Sequence, residues 1–330
     1  MINNFTINLV SNINPEIWSR QVSPEIKNLY PNLFFSYEPG WANLYIFYET
    51  NKSYFIPNRL AQRVFFSAEP ISLKRNSLLF LNQFDQVLGS ISSIYSDRKK
   101  FRVSQPGSPW HLGINFDDDL GRVNLKFNDL VNLNLPYINE VSIITSNKLI
   151  SKTHQKRLIF IDKLSKIMGS KLKVYGRGFK PISDKFEVLG KYRYHIALEN
   201  TEQVDHWSEK LSDPLLALNR VFYFGCSNIN DYFCSEAVRT IDIKDPAKVA
   251  DEILLEISNN NWELAQKDIL YAKNRVLTEY NLISIITNIN PKKVSKNNYM
   301  PLFRDFAYLP RKVFRKVTWR IEKFYLNYVE

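Results

Sequence analysis

Residues 141–178 read VSIITSNKLISKTHQKRLIFIDKLSKIMGSKLKVYGRG, and the order of patterns within them decides the fold class. VSIITSN is a buried strand. KTHQKRLIFIDKLSKIMG places apolar residues at helical spacing and closes on Gly169, a frequent helix stop. KLKVYGRG is a second strand that ends in a glycine turn. A strand, an amphipathic helix and another strand in so short a space predict a βαβ unit, which requires a parallel sheet covered by helices.

The alternation continues downstream. YRYHIALEN is a strand, SEKLSDPLLALN a helix, RVFYFG and TIDIKD strands, and PAKVADEILLEIS a helix opened by Pro246, a residue suited to the first helical turn. Upstream, FTINLV, NLFFSYE, NLYIFYE, RVFFSAEP and QFDQVLGSI are strand-like runs with weakly marked helices between them. The region 101–147, including VSQPGSPWHLGINFDDDLGR, is dominated by turn signals and reads as loops leading to a second domain.

A chain of 330 residues exceeds the usual single core. The expected organisation is an α/β domain over 1–140, a second over 141–295 and a separate tail over 296–330. Ligands of open parallel sheets bind outside the carboxyl ends of the strands. That rule selects the residues just after each run: Glu69, Asn147, Arg177, Asn200 and Ser227.

Composition narrows the function classes. Lys and Arg number 44 against 33 Asp and Glu, a net charge of +11 that favours anionic partners without choosing among them. Cys226 and Cys234 are too few for a disulfide framework, and His111, His154, His195 and His206 show no metal-ligand spacing. No signal peptide, membrane-spanning run, P-loop, strand-associated GxGxxG or GxSxG is visible, and no helix-turn-helix, RNP or zinc-finger pattern supports nucleic-acid binding. The expected location is cytoplasmic. In the tail, Val313, Val317, Ile321, Phe324 and Tyr328 keep helical spacing, with Arg311, Lys312, Arg315, Lys316, Arg320 and Lys323 interleaved. This basic amphipathic helix either lies on an anionic membrane or packs back on the protein.

The polar groups near the strand ends set the remaining chemistry. Arg157 and Lys210 can neutralise a diphosphate, and the helix start at Ser208 adds backbone donors; alternatively Arg157 is solvated and Lys210 with Glu209 is a surface pair. Glu199 ends an apolar strand, where a carboxylate must face a ligand or be paired. Asn200 can donate and accept, as recognition of sugar hydroxyls requires.

Taken together, YRYHIALENTEQVDHWSEKLSDPLLAL with RVFYFG resembles the signature of the α1,3/4-fucosyltransferases, glycosyltransferase family 10. SIITSN with Arg157, KVYGRG, and RVFFSAEP in the first domain extend the resemblance over roughly 60–250. It implies a GT-B fold of two Rossmann-like domains facing a cleft, with the sugar nucleotide on the second and the acceptor on the first. Arg157 and Lys210 would meet the diphosphate, and Asn200 and Glu209 would hold the nucleotide. Asn147, Arg177, Glu199 and His206 would complete the donor set, and Glu69 would be the general base. The implied reaction is inverting transfer of fucose from GDP-fucose to a bacterial surface glycan, lipopolysaccharide O-antigen or capsule. It implies no metal and no cofactor, and the tail would rest on the inner face of the plasma membrane.

Some residues depart from the family pattern. His206 and Trp207 stand where it has tyrosine and valine, RVFYFG lacks a proline, Pro70 follows Glu69, and PWHLGINFDDDLGR has no counterpart. These leave another nucleotide sugar as the alternative donor, and a catalytically inactive lectin-like relative as a further reading.

Overall fold

In the computed structural model the described residues are 4–50, 54, 56–58, 60–70, 72–90, 100–117, 121–148 and 152–289. They divide into two units, one holding residues 4–12 and 24–106, the other Ile13–Ser23 and Gly107–Asn288. The tail 296–330 lies outside the described residues.

The first unit is built on a sheet of β1 (Phe5–Val10), β2 (Leu33–Ser36), β3 (Leu44–Tyr48), β4 (Gln62–Ser67), β5 (Gln86–Gly89) and β6 (Phe101–Val103). The order is β2-β1-β3-β4-β5-β6 and every pairing is parallel. All five residues of β3 are buried, as a strand covered on both faces must be. Phe47, Phe65, Phe80 and Phe84 pack ring against ring at 5.1–5.3 Å, and each ring so buried contributes on the order of 2 kcal/mol.

The second unit contains a short hairpin, β7 (Ile114–Asn115) with β8 (Arg122–Val123), and a five-stranded parallel sheet. Its strands are β9 (Ile138–Ile144), β10 (Leu172–Tyr175), β11 (Tyr192–Leu198), β12 (Arg220–Phe224) and β13 (Val238–Thr240), in the order β10-β9-β11-β12-β13. Alternation along β12 shows the sheet clothed on both sides. Val221 and Tyr223 enter one core with Leu211, Leu215, Ile269 and Val276. Phe222 and Phe224 enter the other with Phe160, Leu164 and Ile253. Helices Lys152–Met168 and Pro246–Ser258 therefore cover one face, and Glu209–Leu216 and Gln266–Thr278 the other. Both sheets are doubly wound and Rossmann-like, as the expected fold class requires.

Three expectations need adjustment. A boundary at 140 would cut through β9. The preceding stretch belongs with the second unit, because Trp110, Leu112 and Leu130 are buried in the core that holds Leu211 and Leu215. Residues 13–23 join it too: Arg20, 5% exposed, donates to the carbonyls of Leu112 at 2.8 Å, Leu125 at 3.1 Å and Trp110. Finally, the last strand is Val238–Thr240 rather than TIDIKD, since Asp242 accepts the Lys244 N–H at 2.9 Å and turns the chain out of the sheet. Among the described residues no helix is long and apolar enough to cross a membrane.

Candidate functional site

The chain leaves β9 for β10 on one side and returns through β11 on the other, so the carboxyl ends of β9 and β11 flank a topological switch point. Thr145 follows β9 and Asn200 follows β11. Arg157, on the helix Lys152–Met168, reaches between them. Its Nη2 donates to Thr145 Oγ1 at 3.0 Å and its Nη1 to Asn200 Oδ1, while Nε has no hydrogen-bond partner among the described residues. The side chain is 4% exposed. Burial lowers its pKa and Glu199 opposes that shift. Among the described residues the groups that grip it are neutral, so no ion pair cancels the charge there.

Glu199 is 2% exposed and serves the architecture of the edge. Its Oε1 accepts the Ser208 N–H at 2.8 Å, and both its oxygens lie 2.9 Å from Ser208 Oγ. Ser208 is the N-cap of the helix Glu209–Leu216, its Oγ accepting the Lys210 N–H at 3.3 Å. Gly225, just after β12 with φ +155°, leaves room for this carboxylate: a Cβ there would fall 2.4 Å from Glu199 Cγ. Gly176 plays a similar part after β10, with φ +109° and the Thr145 carbonyl oxygen 2.0 Å from where a Cβ would be.

From Ser208 a ladder of charges runs along the helix. Lys210 Nζ lies 3.6 Å from Glu199 and 3.2 Å from Glu209; Lys185 Nζ lies 3.8 Å from Glu209 and 2.6 Å from Asp213. Burial works to raise the Glu209 carboxyl, but Lys210 and Lys185 outweigh it and hold the group well below the usual range. Burial likewise works against the Lys210 ammonium, and Glu209 and Glu199 raise its pKa regardless. Asp213 is fully buried and also accepts the His111 N–H at 2.9 Å. Burial, with Lys185 beside it, pulls His111 down to about 4.

His206 is buried beside this ladder, its pKa lowered by burial against the pull of Glu199. Trp207, one of the departures from the family pattern, is 1% exposed and packed edge-on among Tyr232, Phe233 and Tyr280 at 5.4–5.9 Å. A ring without an open face offers no surface for a base to stack on. Its role is the core.

The other expected residues stand apart from the Arg157–Lys210 group. Asn147 and Arg177 are exposed and meet through the backbone, the Asn147 N–H donating to the Arg177 carbonyl at 3.0 Å; Ser227 is exposed as well. In the first unit Glu69 is exposed after β4, and its N–H donates to Glu49 Oε1 at 2.9 Å. Glu49, which follows β3 in a left-handed conformation with φ 48°, pairs with Lys74. Glu49, Lys185 and Asp213 were missed in the sequence. Two signals could have found them: Glu49 ends its run as Glu69 ends the next, and Glu209 and Asp213 lie four apart on a helix, one face carrying two carboxylates that need a cation.

No family model matches the chain. Over 160 residues it is 24% identical to GDP-fucose protein O-fucosyltransferase 3 of Danio rerio, an alignment covering 44% of this chain. The chain spans about a third (34%) of that relative's length. Among solved structures, an α1,3-fucosyltransferase with GDP-fucose is similar at 16% identity and a TM-score of 0.44, covering 84% of this chain and 93% of that one. A glycosyltransferase from Rickettsia africae is similar at 11% identity and a TM-score of 0.45, covering 86% and 96%.

Proposed function

We propose that the chain is an inverting, metal-independent glycosyltransferase that moves fucose from GDP-fucose to a hydroxyl of a bacterial surface glycan, lipopolysaccharide O-antigen or capsule. The observation that carries this reading is Arg157, a buried guanidinium at the switch point of a parallel sheet, held there by the neutral groups of Thr145 and Asn200. An arginine oriented by hydroxyl and amide acceptors keeps its positive charge for an anion, and a diphosphate is the anion that such crevices take. The sequence similarity to a GDP-fucose-dependent transferase supports the choice of donor.

In this reading Arg157 and Lys210 bind the diphosphate and stabilise the negative charge that grows on GDP as it leaves. Asn200 and Glu209 hold the nucleotide. Glu69 takes the proton from the acceptor hydroxyl while that oxygen forms its bond to the anomeric carbon and the bond from that carbon to the phosphate oxygen breaks. One displacement inverts the centre. The basic segment 296–330 is the part that favours an anionic membrane surface, where lipid-linked acceptors are made.

Thermal unfolding with GDP, GDP-fucose, UDP and ADP tests the reading. Guanine nucleotide at 100 times its dissociation constant is expected to stabilise by about 2.7 kcal/mol, with little response to the others. No response to either guanine nucleotide overturns it.

A further inference from the structure

The helix Glu209–Leu216 carries Glu209 and Asp213 four residues apart, on one face, where two carboxylates repel. A single ammonium lies between them: Lys185 Nζ is 2.6 Å from Asp213 Oδ2 and 3.8 Å from Glu209 Oε1. Asp213 fixes the deep end. It is fully buried, its other oxygen accepts the His111 N–H at 2.9 Å, and Lys185 is its cationic partner. His111 comes from PWHLGINFDDDLGR, the segment without a counterpart in the resemblance, and it braces this edge.

The outer end is open. The side chains of Lys185 and Glu209 are 19% and 20% exposed. Lys185 and Lys210 both meet Glu209 at Oε1, whereas Oε2 accepts no hydrogen bond among the described residues. A carboxylate clamped at one oxygen and open at the other repels phosphate and accepts hydroxyl donors.

We propose that Lys185 is a positioning residue for Glu209: bridging it to the buried Asp213, Lys185 aims the free Glu209 oxygen at the ribose hydroxyls of the bound nucleotide. This rests on the reading of the edge as a nucleotide site. Lys185 touches no reacting atom; it acts through the Glu209 carboxylate.

The test compares GDP with 2′,3′-dideoxy-GDP by titration calorimetry on the full chain. Wild-type protein is expected to prefer GDP by about tenfold or more, the worth of a hydrogen bond to a charged group. Lys185→Met is expected to reduce that preference to within about threefold, with the affinity for dideoxy-GDP unchanged, and Lys185→Arg to restore it. In a Glu209→Gln background, Lys185→Met is expected to have no further effect on the preference, because both changes remove one interaction.

A Lys185→Met protein that melts lower yet keeps the full preference, or that loses affinity for both nucleotides equally, assigns Lys185 to packing or to the diphosphate and overturns the proposal. Wild-type protein that binds both nucleotides equally also overturns it, while leaving the diphosphate reading in place. Wild-type protein that binds neither overturns both readings. Should stranding Asp213 prevent Lys185→Met from folding, the paired Lys185→Met and Asp213→Asn variant removes the buried charge, and the same ratio decides.

Discussion

At the carboxyl edge of the first sheet Glu69 is exposed and its backbone N–H donates to Glu49, whereas at the edge of the second Glu199 is 2% exposed and accepts both the backbone N–H and the hydroxyl of Ser208. Both carboxylates follow apolar strands, and the sequence around each looks alike. Their surroundings separate them. A carboxylate engaged by a cap and a neighbouring lysine builds the edge on which other groups stand. Under the proposed reaction the contrast gives construction to one glutamate and chemistry to the other.

The largest expected effect tests the exposed member. Glu69→Ala is expected to lower kcat by about 10²–10⁴, the range for loss of a general base, with GDP-fucose affinity unchanged. Because Glu69 is exposed, unfolding free energy should move by no more than about 0.5 kcal/mol. Steady-state kinetics and chemical denaturation read the two quantities. Unaltered turnover would erase the division of labour between the edges.

Arg157→Ala attacks the built edge. Removing a buried charged partner costs about 2–5 kcal/mol in binding, so GDP affinity should fall by a comparable amount in calorimetry. Arg157→Lys should recover only part, since one ammonium cannot reach Thr145, Asn200 and a phosphate in the same planar fork. Equal binding by all three proteins would remove Arg157 from the site.

The smallest effect distinguishes the units by acid. His111, His154, His195 and His206 all belong to the second unit. Burial lowers His195 to about 3, where its Nδ1 lies 2.9 Å from Ser142 Oγ. The unfolded chain, with histidine near its ordinary value, binds the proton first as pH falls. The stability from keeping His195 neutral is thus complete above about pH 6.5 and is lost progressively as pH falls toward its folded value. At pH 5.5 the loss from this one group is about 1.4 kcal/mol. A paired His195→Leu and Ser142→Ala variant should remove that share of the acid loss, and hydrogen exchange resolved by residue should place the share in the second unit.

Much of this fold was legible because parallel strands covered on both faces write themselves as runs such as NLYIFY, VSIIT and RVFYF, with few polar interruptions. Arg157, Asn200, Glu209 and Lys210 were legible as a set through the resemblance. Their contacts were not: Arg157 meets Asn200 across 43 positions, a pairing created only when β9 and β11 become neighbours. The segment 107–117 was harder still. Its turn residues hid the apolar character of Trp110 and Leu112, which share a core with Leu211 and Leu215, far downstream on a helix of the second unit. Trp207 misled for the converse reason, since its place in the motif said nothing of the three rings that enclose it.

The insertion of residues 13–23 into the second unit bears on how this chain can be cut and recombined. The polypeptide enters that unit at Ile13, leaves at Pro24 and enters again at Gly107. A fragment beginning at Gly107 therefore lacks Arg20 and exposes three carbonyl oxygens, those of Trp110, Leu112 and Leu125, to a vacancy where a guanidinium belongs. Exchanging the second unit with a homologue's calls for two splices, one of which carries an eleven-residue passenger from near the amino terminus. Modularity in this protein is a property of the folded body and not of the linear chain.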